Sequence, residues 1–203
     1  MICPPSFKAL ISQDGAAVYD PSFFTPDEST QLQERLIQTV PWRQDPIKIF
    51  GKSMMQPRLT CWMGDPGAIY KYSSLTLDPE SWTSEVARIK ESLESALGII
   101  FNSVLLNYYR DGNDSMGWHR DNEKELGKEP VIASVTFGAE RRFLLRRHKT
   151  KDDQISLKLG HGSVLVMSGA LQEFWEHSVP KTGKLSAEQI GPRINLTFRR
   201  VFR

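Results

Sequence analysis

Arg193-Ile194-Asn195-Leu196-Thr197-Phe198-Arg199 alternates polar and apolar residues without a break. A period of two is the mark of a β-strand, with Ile194, Leu196 and Phe198 on one face and Arg193, Asn195, Thr197 and Arg199 on the other. Two readings fit the polar face. One is an edge strand with that side in water. The other is a cradle for a dicarboxylate, because guanidinium groups bind carboxylates bidentately and keep their charge when partly buried. Working back from this strand, the chain from residue 99 on reads as short strands punctuated by Gly, Asn and Asp, which suits a jelly-roll sandwich with helices packed outside. The expected fold is mostly β with flanking helices (α+β) around a double-stranded β-helix core.

Ahead of that core the sequence predicts two helices. The first opens on the capping box Thr25-Pro26-Asp27-Glu28 and carries Leu32, Leu36 and Val40 until Pro41 stops it. The second begins at Asp78-Pro79, places Trp82, Val86, Ile89, Leu93 and Leu97 on one stripe, and ends at Gly98. A single domain over 1–203 follows, with helices and hairpins in 1–98 and the β core in 99–203.

His119-x-Asp121, then fifty-five residues, then His177 supplies two imidazoles and a carboxylate. These are the donors of the facial triad of non-haem Fe(II) oxygenases, which leaves coordination positions open. In an extended segment residues i and i+2 project to one side, so His119 and Asp121 can aim at one ion, and His177 must come from a neighbouring strand. A short His-x-Asp pattern also arises by chance, as a solvated loop pair beside an unrelated histidine. In Ser103-Val104-Leu105-Leu106-Asn107-Tyr108-Tyr109, Asn107 and Tyr109 share a face just upstream of the motif. The iron triad, the arginine strand after it and the Asn-x-Tyr strand before it together imply 2-oxoglutarate as cosubstrate. His161, between two glycines, reads as a turn residue, and His148 as a surface residue or one near phosphate.

Asn107-Tyr108-Tyr109, His119-Arg120-Asp121-Asn122-Glu123, the run Ile132–Gly138, the run Gly162–Met167, Trp175-Glu176-His177-Ser178-Val179-Pro180 and Pro192–Arg199 together resemble the AlkB family of Fe(II)- and 2-oxoglutarate-dependent nucleic-acid dealkylating dioxygenases. The resemblance runs from about residue 45 to the C-terminus, and R-x-N-L-T-F-R is its most specific part. Ile47–Lys52, Gly64–Gly67 and Tyr70-Lys71-Tyr72 resemble the base-handling region of the branch that repairs double-stranded DNA. The family likeness implies that His119, Asp121 and His177 are the catalytic Fe(II) ligands. It assigns the distal carboxylate of 2-oxoglutarate to Arg193 with Tyr109 and Asn195, and the iron-proximal end to Arg199 and Asn107. O2 is the co-oxidant, and an N-methyl group leaves a damaged base as formaldehyde, with succinate and CO2 as co-products. The partner implied is alkylated DNA, double- or single-stranded, or RNA. The target base must be flipped from its stack, with Tyr70 and Tyr72 stacking on it, Glu123 reading its exocyclic amine and Phe50 filling the gap as a wedge. One departure stands out: the stretch Lys181–Lys184 holds two cations where the duplex-repair branch tends to have a denser basic cluster. Alternatives are an RNA demethylase or protein hydroxylase of the same chemistry, a non-redox jelly-roll metalloenzyme, and a binding module with a vestigial metal site.

Composition narrows the setting. Net charge is +2 over 203 residues, which neither demands nor excludes nucleic acid. Arg141, Arg142, Arg146, Arg147, Lys149 and Lys151 fall in one stretch free of acids, which reads beside an iron site as a phosphate-tracking ridge. Cys3 and Cys61 are the two cysteines and are far apart, so neither a disulfide framework nor a thiolate metal site is written. With no long apolar run and no leader pattern, a monomeric, cytoplasmic protein without membrane contact is expected.

Overall fold

The computed structural model describes residues 4–49, 52–72, 75–182 and 189–202. In its first half the chain forms β1 (Lys8–Ile11), β2 (Ala16–Asp20), α1 (Pro26–Thr39), β3 (Pro46–Ile49), β4 (Lys52–Met55), β5 (Leu59–Gly64), β6 (Tyr70–Tyr72), β7 (Leu75–Leu77) and α2 (Ser84–Leu97). The second half runs β8 (Ser103–Tyr109), β9 (Met116–His119), a 3-10 turn (Lys124–Leu126), β10 (Ile132–Gly138), β11 (Arg141–Arg147), β12 (Ile155–Leu159), β13 (Ser163–Ser168), α3 (Leu171–Phe174), β14 (Trp175–Val179) and β15 (Arg193–Arg199). The larger sheet has the order β1-β2-β13-β10-β15-β8-β5 and the smaller β12-β11-β14-β9. From β8 onward the chain passes back and forth between the two sheets, which is the winding of a jelly roll.

β15 is not an edge strand. It lies between β10 and β8 in the larger sheet, and all its residues are buried. The period of two sorts its side chains between two separate cores. Ile194, Leu196 and Phe198 pack with α1 and α2 residues such as Leu36, Ile89 and Leu93 on the outer face of the sheet. Burial of each contributes about 1.5–3 kcal/mol relative to exposure. Arg193, Asn195, Thr197 and Arg199 turn inward to the space between the sheets. Their neighbours there belong to a second apolar cluster that includes Tyr109, Phe143, Leu145, Met167 and Val179.

α1 matches the sequence expectation. Thr25 caps it, accepting from the Glu28 N–H at 3.4 Å while Glu28 Oε2 accepts from the Thr25 N–H at 3.2 Å, and Val40 closes it. α2 begins later than expected, at Ser84 rather than Asp78-Pro79. The reason is a competing partner: Glu80 donates its N–H to the Trp62 carbonyl at 2.9 Å and accepts from the Gly64 N–H at 3.1 Å, so this segment lies extended along β5. Thr83 then caps the helix through its hydroxyl, and Gly98 ends it at φ 65°. No helix among the described residues is long and apolar enough to cross a membrane.

Gly138 ends β10 at φ 90°, opposite Arg193, with its N–H donated to His161 Nδ1 at 2.8 Å. A Cβ there would sit 2.2 Å from the Pro192 carbonyl oxygen. Gly138→Ala is therefore expected to cost about 1–3 kcal/mol in backbone strain alone, seen as a lower Tm in thermal unfolding; an unchanged Tm would show that the β10–β15 junction yields freely. His161 otherwise lies 3.3 Å from the Thr30 hydroxyl, which agrees with its reading as a turn residue.

Candidate metal centre

His119 ends β9, Asp121 follows two residues on, and β14 runs antiparallel to β9 with His177 directly opposite His119. That register joins the two halves of the motif: the three residues offer ligand atoms that all lie within 4.8 Å of one another. The two imidazole centroids are 4.2 Å apart, and Phe143 stacks on His177 at 5.3 Å. His119 Nδ1 donates to the Gly117 carbonyl at 2.9 Å, which fixes the tautomer and leaves Nε2 as a lone-pair donor. Nε2 stands 4.0 Å from Asp121 Oδ1.

Electrostatics prepare the same three groups for a cation. Burial, reinforced by the neighbouring His119, pushes His177 down to about 3. Burial likewise lowers His119, against the pull of Asp121. Burial by itself would raise the Asp121 carboxyl, but the Arg199 guanidinium holds it below the usual carboxylate range. Two neutral imidazoles and one carboxylate are thus ready at neutral pH without proton loss, and this donor set fits Fe(II) in a facial triad.

Arg199 Nη2 contacts Asp121 Oδ1 at 3.0 Å, which puts this arginine at the metal end of the cavity. Arg193 lies at the other end. It is 1% exposed, gives Nη2 to the Thr136 hydroxyl at 3.0 Å, and sits 5.1 Å from the Tyr109 ring centroid. Its Nε and Nη1 are buried and have no hydrogen-bond partner among the described residues. Burial lowers its pKa, with Tyr109 opposing and the nearby Arg141 adding to the shift. A buried guanidinium with donors on two of its three nitrogens unused is costly unless an anion meets it, so the pocket fits the distal carboxylate of a 2-oxo diacid. Asn195 also lines the cavity, with its amide held by Ser134 at 2.7 Å, the Val135 carbonyl at 3.0 Å and the Thr197 hydroxyl at 3.1 Å. Asn107 lines it too and accepts from Arg58 Nε at 2.7 Å. Leu105, Met116, Phe143, Met167 and Val179 complete an apolar wall.

The residues expected to handle a base are placed less fully. Phe50 lies outside the described residues, although Ile49 and Lys52 on either side of Phe50-Gly51 pair as the ends of a β3–β4 hairpin. Tyr70 and Tyr72 occupy β6, which pairs with β7, so both positions fall on one face of that hairpin; their side chains are outside what is described. Glu123 immediately precedes the 3-10 turn after the metal motif, is half-buried and is not among the residues lining the cavity. The Lys181–Ser186 loop falls mostly outside the described residues.

The basic stretch 141–151 is not a free ridge. Arg141 is buried and donates to the carbonyls of Asp111, Asp114 and Pro180 at 2.8–2.9 Å. Arg146, His148 and Lys151 converge on Glu176 at 2.6, 3.0 and 2.9 Å. Burial would raise that carboxyl, but these three neighbours hold it at about 2. Arg147 pairs with Asp14 and Asp153. The acids come from other segments, so a window without acids in sequence is compensated in space. Two residues escaped the sequence reading. Arg58, 3% exposed, is legible only as a cation at the mouth of the buried strand β5, and Gln172, 2% exposed, carries no local signal.

Comparison with known proteins agrees with this geometry. Residues 16–199 match the 2OG-Fe(II) oxygenase superfamily. The human alpha-ketoglutarate-dependent dioxygenase alkB homolog 3 is 38% identical over 90% of this chain, which spans 65% of that protein's length. The Arabidopsis thaliana DNA oxidative demethylase ALKBH2 is 36% identical over 97% of this chain and 70% of its own. The solved structure of OsALKBH1 superposes with a TM-score of 0.65 at 16% identity, covering 95% of this chain and 100% of that one, and shares the fold. With the His-Asp-His donors, the buried arginine cradle and the match over residues 16–199 in agreement, the chain belongs to the 2OG-Fe(II) oxygenase superfamily.

Proposed function

We propose that this protein is an oxidative demethylase of N-alkylated nucleic-acid bases, with alkylated DNA as substrate and 1-methyladenine or 3-methylcytosine as the lesion type. The observation that carries the cosubstrate is the incompletely used, fully buried guanidinium of Arg193 at the far end of the cavity that the triad lines. The substrate class rests on relatives that are named DNA oxidative demethylases. His119, Asp121 and His177 would hold Fe(II), and Arg193 would hold the far carboxylate of 2-oxoglutarate. Together Fe(II), 2-oxoglutarate and O2 supply the oxidation that turns an N-methyl carbon into N-hydroxymethyl, with succinate and CO2 as co-products. The hemiaminal then breaks its C–N bond to give formaldehyde and the repaired base. Arg199 keeps Asp121 ionised throughout, and the wall of Leu105, Met116, Phe143 and Val179 keeps bulk water from the reacting carbon. A base inside a duplex cannot reach this cavity, so extrusion from the stack precedes reaction. Residues 1–203 would act as one catalytic domain, monomeric and working in the cytoplasm.

The test is anaerobic loading with Fe(II) and 2-oxoglutarate, then exposure to O2 with methylated oligonucleotides while product mass and succinate are followed. Loss of one methylene unit with matching succinate is expected. Succinate with no change in nucleic acid would redirect the substrate to protein, and absence of succinate would favour non-redox chemistry. Duplex, single-strand and RNA arms separate the substrates. If Phe50 is a wedge, Phe50→Ala depresses duplex repair well beyond repair of the same lesion in a single strand, where no gap needs filling; equal loss on both substrates removes that role.

A further inference from the structure

Apart from its ligand atoms, the metal motif grips the short helix α3 through Arg120 and the main chain of Asp121. The Asp121 N–H donates to Gln172 Oε1 at 3.0 Å. Arg120 Nη1 donates to the carbonyls of Gln172 and Glu173 at 3.5 and 3.3 Å. Gln172 is 2% exposed, and its Nε2 lies 3.7 Å from Met167 Sδ. Its amide therefore has one workable orientation: oxygen faces a donor and nitrogen faces a weak acceptor, whereas a flip would set donor against donor.

This contact matters because the β9–β14 pairing does not extend to Asp121. β9 is the edge of the smaller sheet and ends at His119, and its pairing with β14 slips between His177 and Val179. The ladder thus delivers His119 opposite His177 but stops short of the carboxylate. α3 in turn leads straight into β14, with His177 five residues beyond Gln172. One side chain therefore ties the carboxylate half of the motif to the segment that carries the distal histidine. Arg199 meets the carboxylate of Asp121 at 3.0 Å, and Gln172 holds its main chain.

We infer that Gln172 is a positioning residue for the metal, setting the Asp121 carboxylate at the separation from His119 and His177 that a single cation requires. It does not touch the ion. Groups that orient ligands from behind in this way change metal affinity by roughly 10–100-fold when removed. The inference rests on the reading of the triad as a metal site, and the experiment separates the two.

Co(II) alone is titrated into the protein, its visible d–d bands reporting coordination geometry and equilibrium titration its affinity, with Tm measured in parallel. If wild type and His177→Ala bind Co(II) equally, the triad reading fails and the inference with it. If wild type binds through the triad, Gln172→Met, which matches the glutamine in length and removes the acceptor oxygen, should bind Co(II) about tenfold more weakly or worse and with shifted bands. Co(II) affinity within twofold of wild type and an unshifted spectrum, whatever happens to Tm, would overturn the role of Gln172 while leaving the triad in place. Should the methionine variant not fold, Gln172→Asn keeps the amide but shortens its reach by one methylene, and is judged by the same two readouts.

Discussion

Asp121→Ala is expected to abolish turnover and, unlike alanine at either histidine, to destabilise the fold sharply. Loss of the carboxylate removes one of three protein ligands from an open site that has none to spare. It also strips Arg199, 3% exposed, of the oxygen it contacts at 3.0 Å. Removing one partner of a buried ion pair costs about 3–5 kcal/mol, because the other charge stays buried without it. For a chain of this size that is a fall in Tm of roughly 10 °C. His119→Ala and His177→Ala remove groups that are neutral at pH 7 by virtue of burial; their turnover should vanish as well, with a smaller drop in Tm. Thermal unfolding of the metal-free variants separates the cases, and equal Tm values for Asp121→Ala and wild type would mean that the Arg199 contact contributes nothing to stability.

Arg193→Met should have the opposite signature: loss of cosubstrate with no loss of fold. Nε and Nη1 of Arg193 are buried without hydrogen-bond partners among the described residues, so the metal-free protein bears the cost of desolvating this charge. Replacing buried charge by an apolar side chain of similar volume is often neutral or stabilising. Two charge-assisted hydrogen bonds to a carboxylate are worth about 1.5–3 kcal/mol each, and about 1.4 kcal/mol is tenfold in affinity. Binding of 2-oxoglutarate should then weaken by about 100-fold or more, while Tm holds or rises. Arg193→Lys retains the charge but not the planar fork and should raise the cosubstrate KM by roughly tenfold. Calorimetric titration of 2-oxoglutarate into the Co(II)-loaded variants is the check. Unchanged affinity in Arg193→Met would place the distal carboxylate elsewhere and leave the buried guanidinium unexplained.

Much of the site was legible because it is written at short range. The faces of β15 follow from an alternation that any extended chain imposes, and the i, i+2 spacing of His119 and Asp121 marks them as one pair of donors although β9 itself ends at His119. The box at Thr25 and Glu28 announces α1 because a cap is a contact between residues three apart. The start of α2 was misjudged for a long-range reason: β5 offers backbone partners at Trp62 and Gly64, and the chain around Glu80 takes them in preference to a further helical turn.

The sequence by itself determined which residue types could form the site and which way each faces along its own strand, since both are properties of the covalent backbone and its two periodicities. Only the tertiary structure decided their partners. It buried β15 at the centre of the larger sheet, gave Arg199 to Asp121 and Arg193 to Thr136, and paired Arg146, Arg147 and Lys151 of the basic run with Glu176, Asp14 and Asp153. Arg58 reaches Asn107 across 49 residues and Gln172 reaches Asp121 across 51. Contacts of that kind depend on which strands lie side by side, and strand pairing is settled by the packing of two apolar cores rather than by any local run of sequence.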